Sequence, residues 1–152
     1  LYKKGTDMLE LHGWLTIHEC YGNEDAMSDC ELNAVHDNIK KILNSHDCGI
    51  THRYVNGGSF LNVLHCSNHR TPEADEIIGV FTEISKAADG SYGVIYLRDD
   101  EDKNFCNEFQ VFVFKHGKCS KVRDDNLSPC IPKIESDINN TEKYKHIKEV
   151  TV

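Results

Sequence analysis

The sequence predicts an α+β fold in which two helices cover one face of a mostly antiparallel sheet. Three observations carry that prediction. Leu9–His18 alternates apolar and polar residues with period two, the signature of a half-buried strand. Two later stretches carry helix-start chemistry followed by apolar residues at helical spacing. Two pairs of β-rich segments flank turn-forming residues. In chain order these give β-α-β-β-α-β, the split βαβ or ferredoxin-like arrangement, with two further strands appended.

In the first strand Leu9, Leu11, Gly13, Leu15 and Ile17 share one face, while Glu10, His12, Trp14 and Thr16 share the other. Tyr21–Met27 is a polar connection holding Glu24 and Asp25. Ser28 followed by Glu31 forms a capping box, after which Leu32, Val35, Ile39, Ile42 and Leu43 recur along one helix face. Ile50–Val55 and Ser59–Cys66 flank Asn56-Gly57-Gly58, residues that tolerate positive φ and so suit a hairpin turn. Thr71-Pro72 opens the second helix, with Glu73, Asp75 and Glu76 placed to favour its dipole. Its apolar stripe is Ala74, Ile77, Ile78, Phe81, Ile84 and Ala88. Tyr92–Arg98 and Phe105–Phe114 then form a hairpin joined by Asp99, Asp100, Glu101, Asp102, Lys103 and Asn104. His116-Gly117 turns the chain into a last strand, Lys118–Arg123. The prolines make Leu127–Pro132 an extended segment.

A chain of 152 residues suits one domain with one core. We expect residues 1–7, before Met8, to be a vector-derived linker, residues 8–135 to be the single domain, and residues 136–152 to be a polar tail in which Glu149–Val152 could add a strand. No apolar run approaches the roughly 20 residues of a membrane-spanning helix. A net charge of −8 without a local basic patch disfavours nucleic acid and anionic membranes and favours basic protein partners. Seven widely spaced cysteines with no CxxC suit reduced thiols in the cytoplasm.

Catalytic patterns are weak. His65-Cys66-Ser67-Asn68-His69 offers metal-ligand types, but strand alternation sends His65 and Cys66 to opposite faces and no second ligand pair accompanies them. Adjacent acids on one turn are not the separated pair of a glycosidase, nor do they follow calcium-loop spacing. The sequence therefore reads as non-enzymatic, with no catalytic residues, metal or cofactor assigned. A small metal-dependent hydrolase and an oligomeric adaptor remain as alternatives, and the oligomeric state is open. The most conspicuous feature is the run Asp99, Asp100, Glu101 and Asp102, whose mutual repulsion calls for compensation by a cation or a basic partner.

Leu11-His12-Gly13-Trp14, Val94–Asp102 and Leu127-Ser128-Pro129-Cys130-Ile131-Pro132, in this order, resemble the immunity protein 7 family of bacterial polymorphic and contact-dependent toxin systems. The similarity runs from about Leu9 to Glu135. The resemblance implies a cytoplasmic inhibitor that binds a cognate toxin domain. Such toxins are often nucleases, whose basic clefts an acidic protein is suited to occupy. The expected contact residues are Asp99, Asp100, Glu101 and Asp102, with Glu24, Asp25 and Trp14. Arg98 is expected to pair with a local carboxylate. Because Asp99 and Asp100 fall within the recurring motif, they read as structural, and Glu101 and Asp102 as the better contacts.

Overall fold

The computed structural model describes residues 8–22 and 24–136. The expected linker and nearly all of the expected tail, including Glu149–Val152, lie outside the described residues. The strands are β1 (Leu9–Ile17), β2 (Thr51–Val55), β3 (Gly58–Ser67), β4 (Tyr92–Asp99), β5 (Gln110–Lys115) and β6 (Lys118–Arg123). The two long helices are α1 (Asp29–Asn44) and α2 (Pro72–Ala87), and a short α3 (Cys130–Lys133) follows β6. All strand pairs are antiparallel, in the order β2-β3-β1-β4-β5-β6. The first four strands thus keep the split βαβ order, and β5 and β6 extend the sheet beyond β4.

Central β1 sets the layers. Leu9, Leu11, Leu15 and Ile17 are buried with Leu61, Ile95 and Leu97 of the neighbouring strands. Ile39 and Ile42 of α1, and Ala74, Ile77, Val80, Phe81 and Ile84 of α2, close this core from one side. The capping box of α1 is formed: Ser28 Oγ accepts from the Glu31 amide, and the Glu31 carboxylate accepts from the Ser28 amide at 2.8 Å. Thr71 occupies the N-cap of α2 but makes no side-chain cap bond, so Pro72 supplies the start signal there. Both tight hairpin turns use positive φ, at Asn56 (49°) and Gly57 (78°), and at His116 (52°) and Gly117 (69°).

Two expectations need correction. The second segment of the acidic hairpin does not begin at Phe105; residues 100–109 form a looping connection and β5 starts at Gln110. Leu127–Pro132 is not extended throughout, because the chain turns at Cys130–Lys133. There the amides of Ile134 and Glu135 both donate to the Cys130 carbonyl at 2.9 Å. Pro132 has no N–H to contribute and does not oppose such a single turn.

Gly93 shows how closely β1 and β4 pack. A Cβ at Gly93 would lie 2.1 Å from the Trp14 carbonyl oxygen and 2.8 Å from Leu15 Cα. Backbone, unlike a flexible side chain, cannot swing aside. Gly93→Ala should therefore cost about 1–3 kcal/mol by overpacking, read as a lower urea midpoint with an unchanged slope.

Candidate functional site

The acidic turn lies where β4 ends beside the start of β1. Most of its negative charge is met by backbone donors. Asp99 is only 5% exposed, and its carboxylate accepts from the Glu101 amide at 3.1 Å. The Arg70 guanidinium stands 3.9 Å from its other oxygen. The Asp100 carboxylate accepts from the Met8 amide at 2.7 Å, while the Asp100 amide donates to the Met8 carbonyl at 3.3 Å. This extends the β1–β4 pairing past Leu9. The Asp102 carboxylate accepts from the amides of Asn104 (2.8 Å) and Phe105 (3.2 Å) and from Gln110 Nε2 (3.4 Å). Charge-assisted bonds of this kind stabilise carboxylates that would otherwise repel one another. Glu101 differs: it is exposed, and among the described residues its carboxylate meets the His69 ring, at 3.0 Å.

Asp99 and Asp100 thus have the structural bonds that the recurring motif suggested. Asp102, read from sequence as a contact residue, is committed just as fully to local donors. Its spacing to Asn104 and Phe105 is that of an Asx turn.

Arg98 departs further from expectation. Its partner is not a local carboxylate but Glu135, 37 residues along the chain, bound through two parallel contacts of 2.9 and 3.1 Å. Arg98 is 7% exposed, and the guanidinium holds Glu135 below the usual carboxylate range. The strap 124–135 that delivers Glu135 is tied down along its length. The Asp124 carboxylate accepts from the amides of Asn126 (3.0 Å) and Leu127 (3.1 Å) and from Ser128 Oγ (2.8 Å). Burial pushes the Asp124 carboxyl upward, but these donors outweigh it and leave the group lowered. Ser128 Oγ accepts from the Phe109 amide at 2.8 Å. Asn107 brackets Ile131, accepting from its amide at 2.7 Å and donating to its carbonyl at 3.2 Å. Sequence reasoning missed Asn107, Asp124, Ser128 and Glu135. Only Asp124 and Ser128, at Asx-turn spacing, carried a readable signal.

The remaining candidates do not join the turn. The register pairs Leu9 with Asp99 and Thr16 with Tyr92, so Glu24 and Asp25, which follow β1, lie at the far end of the sheet. Eight residues of strand separate the two ends by roughly 25 Å. Asp25 is exposed beside a groove formed by His18, Tyr21, Gly90 and Tyr92. Trp14 is 44% exposed on the sheet face away from the helices and makes an edge contact with Tyr92, centroids 6.3 Å apart.

His65 stands 3.8 Å from Glu73 on α2, whereas Cys66 is exposed. Among the described residues, no three His, Cys, Asp or Glu side chains are grouped to hold a metal. Burial raises the thiols of Cys48, Cys119 and Cys130, which keeps them protonated and poor nucleophiles.

The Arg98–Glu135 clasp has a defined pH signature. Glu135 has a depressed folded pKa, so its stabilisation is present above the unfolded value near 4.5 and is lost as pH falls through the folded value. Because the Glu135 side chain is 48% exposed, solvent screening limits the contribution to about 0.5–1 kcal/mol. Glu135→Gln should lower stability by that amount at pH 7. Urea titrations at successively lower pH should show the difference shrinking once the pH falls below about 4.5.

Against known proteins, the model of the immunity protein 7 family matches residues 8–136. No curated protein and no solved structure matches the chain. The family match covers most of the chain, including the β1 motif, the acidic turn and the strap. The chain therefore belongs to the immunity protein 7 family and is an immunity protein for a toxin.

Proposed function

We propose that this protein neutralises a basic cognate toxin domain, a nuclease, in the cytoplasm, and that it does so without catalysis through the end of the sheet bearing the acidic turn. The observation that supports this reading is the division of labour among four consecutive acids. Asp99, Asp100 and Asp102 spend carboxylate oxygens on backbone amides and so hold the loop in one shape. Glu101 then stands exposed on a preorganised base. A fixed carboxylate loses less conformational entropy on binding than a mobile one. Together with a net charge of −8, it would accelerate encounter with a basic cleft and compete there with phosphate backbones.

In this reading Glu101 makes the direct contact, Asp100 contributes charge at its flank, and Asp99 and Asp102 act by positioning. Glu24, Asp25 and Trp14 are not required by this footprint. Arg70 is already engaged by Asp75 and Asp99, which leaves the outward charge of Glu101 uncancelled by any Lys or Arg partner among the described residues.

The test is co-expression with the toxin domain encoded beside this protein, followed by binding kinetics. Replacing Asp100 and Glu101 by Asn and Gln should slow association about tenfold and flatten its salt dependence, with a smaller effect on dissociation. Unchanged protection, association rate and salt dependence in that variant would remove the acidic turn from the interface.

A further inference from the structure

We infer that the open face of the sheet is a self-association surface, on which a second copy of this chain docks. An antiparallel sheet with one solvated face ordinarily carries polar and charged residues there. Here two successive cross-strand rows run through the middle of that face with no Lys, Arg, Asp or Glu. One row is Thr51, Asn62, Trp14, Val94, Val113 and Ser120. The next is Leu64, His12, Tyr96, Val111 and Val122. Part of the second row is covered: Phe109, whose amide donates to Ser128 of the strap, packs on Tyr96, and Val111 is buried. Leu64 remains 67% exposed, Trp14 44% and Val122 45%.

Charge lies at the two ends of this uncharged band, with a cationic excess at one end and an acidic excess at the other. At the Tyr92 end, Arg53, Lys115 and Lys118 are exposed without a carboxylate partner among the described residues, and they outnumber the exposed Asp25 beside Tyr92. At the opposite end Glu10, Asp124, Asp125 and Glu135 outnumber the two cations there, Arg98, which is bound to Glu135, and Lys133, which donates to the Asp125 carbonyl. The strap at that end also turns Leu127 (41% exposed), Ile131 (38%) and Ile134 (46%) outward. The face therefore calls for a partner offering apolar side chains next to carboxylates, and the strap of this same chain offers both.

A two-fold axis running across the strands between two facing sheets satisfies the arrangement. It sets each strand against its own copy in the opposite direction, with Trp14 near the axis. The cationic end of one copy then meets the acidic end of the other, and each strap lies over the uncovered half of its partner. Such an interface is isologous and closes at two copies. It leaves Glu101 outside, because that residue sits with His69 beside the start of α2, at the end of the sheet and not on its face.

The test is sedimentation equilibrium of the full chain over a wide concentration range. The expected result is a dimer of twice the 17.3 kDa chain mass, weakened at high salt. Leu64→Glu should raise its dissociation constant at least about 100-fold, since it buries a charge in the uncharged band. The exposure of Leu64 keeps that variant folded, which its melting temperature checks. Val113→Lys serves as the second disruption and should act in the same direction. A chain that stays monomeric at every concentration overturns the proposal, as does a dimer that neither substitution weakens. A monomer whose toxin binding is lost in Leu64→Glu also overturns it, because the face then belongs to the toxin.

Discussion

The rest of the structure depends on β1 being hydrogen-bonded along both edges. A strand paired with β3 on one side and β4 on the other has no freedom to slip, because a one-residue shift would turn Leu9, Leu11, Leu15 and Ile17 outward. Gly93 and Gly13 are part of the same constraint. A side chain at Gly13 would collide with Ile95 and Val63, and one at Gly93 with the β1 backbone itself. Register in the centre of the sheet fixes everything at its two ends. It brings Asp99 and Asp100 to the start of β1, and it carries Glu24 and Asp25 away from them.

The acidic turn resolves its own electrostatic problem with amides and recruits little cationic charge. Among the described residues Asp99 is the carboxylate of the turn that pairs with an arginine, and at 3.9 Å that contact is loose. Bonds from the amides of Met8, Glu101, Asn104 and Phe105 hold the carboxylates of Asp99, Asp100 and Asp102. These donors stabilise the ionised form without removing its charge from the surface, so the turn is both ordered and negative. Had the same carboxylates been paired with lysines, the loop would present a neutral edge. Arg98, by contrast, is used entirely for internal joinery. Buried and bound to Glu135, it couples β4 to a segment that follows β6.

Much of the fold was legible in the sequence because its signals are local. The alternation of β1, the Ser28–Glu31 box, Pro72 at the start of α2, and Asn56-Gly57 each act over a few residues and need no tertiary partner to be read. The strap was not legible for the opposite reason. Nothing near Arg98 names Glu135, and nothing near Asn107 names Ile131, since the partners are set by packing across 37 and 24 residues respectively. For the candidate site, composition singled out the acidic loop but could not divide its work. Adjacent acids look alike in sequence, and only backbone geometry distinguishes Asp102, turned inward onto two amides, from Glu101, turned outward. The separation of Asp25 from the turn needed the strand register as well.

Amide chemical-shift mapping of the labelled protein titrated with its unlabelled toxin domain tests the central claim most directly. The account predicts the largest perturbations at Asp100–Asn104 and at His69, with Leu64 and Val113 unmoved. Perturbations confined to the open sheet face around Trp14 and Leu64, with the acidic turn silent, would contradict it.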